Sequence, residues 1–167
     1  TCRPRWEGGE FCGSEEERRL LLTQAFELGA EYVDVEWRAG FNGLIEAERG
    51  RRIVLSVHDF AGHLTDLDGQ LRAMRSTGAE VTKVAVATHC LTDLVRLRQF
   101  GQRNADNGRQ ILIGMGAAGV TSRVLPDLFD SSWTYAGDGV APGQLSVDQM
   151  RDEYRIRSLG KGSELFG

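Results

Sequence analysis

Lysine is nearly absent from this chain. Of its 167 residues 20 are basic, and all of these except Lys83 and Lys161 are arginine. Arginine meets almost every surface need for positive charge, so a lysine set in an apolar segment calls for a chemical reason. Cysteine is scarce too. Cys2, Cys12 and Cys90 are odd in number and unpatterned, which argues against a disulfide framework and makes a reduced, cytoplasmic protein the expectation. No apolar run approaches the roughly 20 residues that cross a bilayer. A formal charge of −4 offers no electrostatic footprint for nucleic acid or an anionic membrane. What remains is an ordinary globular composition, long enough for one domain with a core of its own. The chain opens abruptly at Thr1-Cys2-Arg3, so a piece of a longer protein is expected.

Apolar runs of strand length alternate with amphipathic stretches. Ser14–Leu28 reads as a helix, with Ser14 as its cap, Glu15, Glu16 and Glu17 in its first turn and Gly29 at its end. Tyr32–Trp37 follows as a strand, Phe41–Glu48 as a short helix and Arg52–Val57 as a nearly continuous apolar strand. Leu67–Thr77 reads as a helix stopped by Gly78, Val81–Val86 as a strand, Leu91–Asn104 as a helix and Gln110–Met115 as a strand. Beyond these, Ser122–Phe129 is expected as a short helix, Ser132–Tyr135 as a strand and Ser146–Arg155 as a last helix. The string Gly-Ala-Glu leads into a strand twice, at Gly29-Ala30-Glu31 and Gly78-Ala79-Glu80, as a repeated β/α unit would have it. Strands apolar on both faces and separated by helices predict a parallel sheet covered on each side.

The polar residues choose between a barrel and an open sheet. Residues two apart on a strand share a face. That rule groups Asp34 with Glu36, Val54 with Ser56 and His58, and Val81 with Lys83 and Ala85. In a barrel these faces converge on one interior whose catalytic mouth lies at the strand C-termini. In an open sheet some of them would sit under helices, each at a desolvation penalty. The barrel explains the pattern better. Taken alone, Lys83 is equally well explained as a core cation paired with Asp34 or Glu36. Loss of hydration, however, favours an uncharged amine, the nucleophile that imine formation with a ketone or aldehyde requires. His58 alone would pass as a structural histidine; ending the strand next to that of Lys83, it is placed to move protons.

Two other patterns carry less. Gly114-Met115-Gly116-Ala117-Ala118-Gly119 matches G-x-G-x-x-G after an apolar strand, with Asp138 downstream. The helix that follows is brief and holds Pro126, and a loop whose backbone approaches an anionic substrate accounts for the glycines as well, so no nucleotide cofactor is expected. His58, His63, His89 and Cys90 fit no closed zinc pattern, and no metal is expected.

Five motifs, in order, resemble type I 3-dehydroquinate dehydratase. They are Thr1-Cys2-Arg3-Pro4-Arg5-Trp6-Glu7-Gly8-Gly9, Ser56-Val57-His58-Asp59-Phe60, Thr82-Lys83-Val84-Ala85-Val86, Ser122-Arg123 and Ala141-Pro142-Gly143-Gln144. The resemblance implies a (β/α)₈ barrel that converts 3-dehydroquinate to 3-dehydroshikimate in the shikimate pathway, without metal or nucleotide. Carried over residue by residue, Lys83 forms the imine, His58 moves the proton and Glu7 orients His58. Arg123 clamps the substrate carboxylate, and Arg3 and Gln144 bind substrate oxygens. A homodimer is a candidate assembly.

The chain departs from the family in two places. Val140 stands where a hydroxyl residue often precedes Ala-Pro-Gly-Gln, which puts one substrate hydrogen bond in doubt. The first two strand–helix units are missing, so residues 1–156 are expected to represent strands three to eight, the third nearly lost. Such an open barrel is expected to be inactive and self-associating on its own. Residues 157–167 read as a tail or linker, resembling the lead into a fused shikimate dehydrogenase domain. Two other functions stay open: another lysine-imine barrel such as a class I aldolase, and a catalytically dead binding module.

Overall fold

The structure, a computed structural model, describes residues 1–62, 66–137 and 141–156. The expectations resting on His63, Asp138, Val140, Lys161 and the tail 157–167 lie outside the described residues.

Four parallel strands form the sheet: β1 (Val33–Glu36), β2 (Ile53–Asp59), β3 (Val81–Ala87) and β4 (Arg109–Met115), hydrogen-bonded in sequence order. Each successive strand adds on the same side, which is the winding of a barrel; a doubly wound sheet reverses direction. Helices α1 (Glu15–Glu27), α2 (Asn42–Ala47), α3 (Leu67–Ser76), α4 (Leu91–Asn104) and α5 (Val120–Val124) fill the connections. Helix α1 starts as its sequence predicts: Ser14 accepts from the Glu17 N–H at 3.2 Å while Glu17 accepts from the Ser14 N–H at 2.7 Å. It buries Arg18, Leu22 and Phe26, α3 buries Leu67, Leu71 and Met74, and α4 buries Leu94, Leu97 and Phe100. These are the spacings of one helix face. Gly29 and Gly78 both take positive φ, so the repeated Gly-Ala-Glu is a helix stop in each case.

Period two sorts the core into two clusters. Val33, Val35, Ile53, Leu55, Val57, Val84, Val86 and Leu112 pack outward against the helices. Val54, Val81, Ala85, Ile111, Ile113 and Met115 form the inner cluster, with Trp133 and Tyr135 packed on it.

Side chains link the two edge strands. Arg109, at the start of β4, donates to the hydroxyl of Tyr32, just before β1, at 2.7 Å and pairs with Glu80 at 2.6 Å. Its guanidinium lies 5.1 Å from the Trp133 ring, which in turn lies 5.1 Å from that of Tyr32. This cluster bridges the two edges across the N-terminal end of the inner face.

Four expected elements are corrected. Among the described residues the sheet has four strands, not six: Thr1–Arg3 adds no strand, and Ser132–Tyr135 makes no ladder. After β4 the Ser131 hydroxyl, not a backbone, accepts from the Leu112 N–H at 2.8 Å, and Ser132 gives one backbone bond to Gln110. The expected helix Ser122–Phe129 is α5 followed by a separate 3₁₀ turn, Pro126–Phe129, because proline cannot continue the ladder. The last helix, Ser146–Arg155, is reduced to a short turn whose core, Gln149–Glu153, is π-wound, with the Tyr154 N–H bonded to the Gln149 carbonyl. The glycine run also serves differently from expectation. A Cβ on Gly119 would lie 2.2 Å from the Gly114 carbonyl oxygen, so these glycines allow α5 to press on β4.

Candidate active site

The inner face of the sheet opens on a cleft of about 860 Å³. Glu36, Ser56, Lys83 and Ile111 form one rung across the four strands. His58 and Ala85 form the next rung towards the strand C-termini, while Asp34, Val54 and Val81 lie one rung the other way. Strand pairing therefore delivers a lysine, a histidine and two carboxylates to one surface, as period two implies.

The Lys83 Nζ is 2.8 Å from Asp34 Oδ2, and the face of the Tyr135 ring is 4.8 Å away. Asp34 Oδ2 also pairs with Arg3 at 3.1 Å, and Asp34 Oδ1 accepts from the Ser56 hydroxyl at 2.5 Å. Burial works against a charged Asp34, but Lys83, Arg3 and the hydrogen bonds from Lys83 and Ser56 outweigh it and hold its carboxyl well below the usual range. Arg3 pairs further with Glu36 at 3.2 Å, and the fully buried Arg18 pairs with Glu36 and with Glu15. Glu15, Arg18, Glu36, Arg3, Asp34 and Lys83 thus alternate in sign from α1 to the cleft. Burial pushes the Tyr135 hydroxyl up to about 12, so it stays protonated.

His58 meets two partners at one nitrogen. Its Nδ1 lies 3.1 Å from Glu7 Oε1 and 3.0 Å from an Arg3 guanidinium nitrogen. A carboxylate only accepts and a guanidinium only donates, so Nδ1 serves one of them at a time. With its proton on Nδ1 facing Glu7, the ring leaves a lone pair on Nε2. Glu7 Oε1 also accepts from the His58 backbone N–H at 2.9 Å, which fixes the pair. Burial lowers the pKa of His58 and Arg3 and Lys83 push the same way, while the Glu7 hydrogen bond and Asp34 oppose. The net shift is downward. The imidazole is therefore a neutral base near neutral pH.

All six expected site residues, Glu7, Arg3, His58, Lys83, Arg123 and Gln144, line the cleft. Arg123 is 2% exposed and donates to the Pro142 carbonyl at 3.3 Å, while its Nε finds no partner and no carboxylate reaches it among the described residues. Burial pulls its pKa down. Gln144 turns its Oε1 to the Ala141 N–H at 3.1 Å. Arg3, expected to bind substrate oxygens, lines the cleft with its guanidinium engaged with Asp34, Glu36, Ser56 and His58. Ser56 and Tyr135 were not singled out for the site, and Asp34 and Glu36 only as ion-pair partners for Lys83. The pairing of Asp34 with Glu36 at period two was the available signal; Tyr135 carried none, being assigned to a strand that does not form.

A singly wound parallel α/β sheet with a lysine and a histidine in one ionic cleft at its inner face defines a class: a barrel-type protein with a lysine-centred site. The model of the type I 3-dehydroquinase family matches residues 1–161, and the chain belongs to that family of lyases. It is 36% identical to the 3-dehydroquinate dehydratase of Desulfotalea psychrophila, covering 90% of this chain and 72% of that protein. It is 32% identical to the chloroplastic bifunctional 3-dehydroquinate dehydratase/shikimate dehydrogenase of Arabidopsis thaliana, with all of this chain aligned but only 29% of that one. Its fold superposes on the type I 3-dehydroquinate dehydratase of Clostridium difficile with a TM-score of 0.80, at 23% identity, over 95% of this chain and 68% of that one. Among the described residues no helix is long and apolar enough to cross a membrane.

Proposed function

We propose that this chain carries the catalytic face of a shikimate-pathway enzyme that dehydrates 3-dehydroquinate to 3-dehydroshikimate, within a (β/α)₈ barrel whose first units lie outside it. One observation carries this reading. Lys83 and His58 stand on neighbouring strands in a cleft whose wall holds Arg123, a buried guanidinium with no carboxylate partner among the described residues. The Lys83 amine adds to the substrate ketone and water leaves, giving an imine. Protonated, that imine withdraws electrons and acidifies the adjacent C–H. His58 takes this proton through Nε2, with Glu7 holding its other nitrogen, and returns it to the departing hydroxyl as water. Arg123 pairs with the substrate carboxylate, a fork-shaped task suited to guanidinium, and Gln144 binds a substrate oxygen. An aldolase acting on a sugar phosphate would bring a phosphate to the site, and a cluster of backbone amides at a helix start serves that better than one arginine. The two-part name of the plant relative supports reading residues 157–167 as the way into a dehydrogenase domain.

The test incubates the 167-residue chain with 3-dehydroquinate, reduces with borohydride and maps the added mass. We expect it on the peptide containing Lys83. Labelling at Lys161 would sink this assignment, and labelling only by a sugar phosphate would favour an aldolase. Turnover also needs a closed, water-excluding barrel, and a displacement of about 1 Å lowers rates roughly a hundredfold. The chain alone should therefore turn over far more slowly than one extended upstream by two strand–helix units. Equal turnover would show that the barrel needs no further units. Arg123→Lys keeps the charge and loses the fork, so the substrate concentration for half-maximal labelling should rise about tenfold, the scale of a charge-assisted hydrogen bond. An unchanged value would return Arg123 to a structural role.

A further inference from the structure

We propose that Asp34 is a further catalytic residue, the fixed anion that partners the Lys83 nitrogen first as ammonium and then as protonated imine. This rests on the reading of Lys83 as the imine-forming amine. The carboxylate meets the reacting nitrogen directly, Oδ2 to Nζ at 2.8 Å. The other nearby carboxylate is not available: Glu36 shares the rung of Lys83 but is taken by Arg18 and Arg3. On a second side the Tyr135 ring presents its face to Nζ at 4.8 Å, and an aromatic face attracts a cation. The surroundings of Nζ are therefore those of a positive charge.

The charge count of the reaction fits a fixed anion. An ammonium and a ketone give a protonated imine and one water. The amine gives up a proton to attack, the C–N bond forms, and the carbonyl oxygen leaves as water with two of the nitrogen's original protons, so that one positive charge stands on nitrogen before the step and again after it. An anion at that point is matched before and after the step and need not move. Nor does it depend on Lys83 to stay in place, because Ser56 holds Oδ1 at 2.5 Å and Arg3 holds Oδ2 at 3.1 Å. When Nζ swings towards a substrate, Asp34 remains a hydrogen-bonded, paired carboxylate rather than a stranded buried charge. Its function is to keep the imine protonated, the form that withdraws electrons from the neighbouring C–H.

Two hydride reagents separate this role from a structural one. Borohydride reduces an imine whether or not it is protonated, whereas the milder cyanoborohydride reduces the protonated form selectively. With 3-dehydroquinate at neutral pH, the parent chain should be labelled at Lys83 to the same extent by both. In Asp34→Asn borohydride labelling should persist while cyanoborohydride labelling falls about tenfold or more, the scale of a lost charge-assisted hydrogen bond. Equal labelling of that variant by both reagents would overturn the proposal. Should the variant lose its circular dichroism signal, the parent chain decides. With Asp34 beside the nitrogen, the ratio of the two labels stays level from mildly acid to mildly alkaline pH, and a ratio falling across that range rules the anion out. A parent chain that neither reagent labels removes the imine itself, an outcome distinct from both.

Discussion

Lys83→Met should abolish covalent labelling by 3-dehydroquinate and borohydride, and lower dehydration by ~10⁴-fold or more, the range seen when a nucleophile that works with a base is removed. The thioether keeps most of the length and apolar bulk of the lysine stem but cannot form a carbon–nitrogen bond. The variant should fold, because Asp34 retains Arg3 and Ser56 after Lys83 has gone, so no buried carboxylate is left bare. A melting curve beside the mass spectrum therefore separates lost chemistry from lost structure. Label on the variant would mean that the amine lies elsewhere, with Lys161 the one other lysine able to supply it.

His58→Ala should act at a later step. Imine formation requires an amine and proton removal requires a base, so the variant should still be labelled at Lys83, but by a group one water heavier than the dehydrated product. General acid–base catalysis contributes typically 10²–10⁴-fold, and dehydration should fall by that much relative to the parent chain. A variant that keeps more than about a tenth of the parent rate would take His58 out of proton transfer. The pH profile carries the sign of the environment. Burial of His58, reinforced by Arg3 and Lys83, favours the neutral ring, so the acid limb of the rate should lie below the ordinary imidazole value of 6.5. The Glu7 hydrogen bond pulls the other way, so Glu7→Gln should move the limb further towards acid while also lowering the rate. A limb moving towards alkaline pH would contradict the contact at 3.1 Å.

Much of this site was legible because period two is a local property. Asp34 and Glu36, Ser56 and His58, and Lys83 each follow from position along a strand, and the sheet only had to set the strands side by side. The helix ends were legible for the same reason: Ser14 with Glu17, and the two Gly-Ala-Glu stops, are decided within a few residues. The rest depended on contacts far along the chain. Nothing around Ser132–Tyr135 shows that the hydroxyl of Ser131 will occupy the Leu112 N–H and prevent a ladder. Nothing near Arg3 says that its guanidinium meets Asp34, 31 residues away, and His58, 55 residues away, and so belongs to the protein's own ionic network. The glycines from Gly114 to Gly119 looked like a ligand loop because a tight helix–strand approach and a phosphate cradle ask for the same residue.

The row of charges from Glu15 to Lys83 has a meaning for descent. Every interior member is held between two of opposite sign, so neutralising one takes a partner from each of two neighbours, and reversing one sets like charges side by side. Buried charges without partners destabilise a protein far more than exposed ones, and substitutions within one network do not add. Drift along this row is therefore confined to paired exchanges. Arg18, under α1 and separated from Lys83 by three intervening members of the row, is bound to the same inheritance as the amine. The helix that covers the sheet is, by this linkage, constrained together with an amine it does not touch.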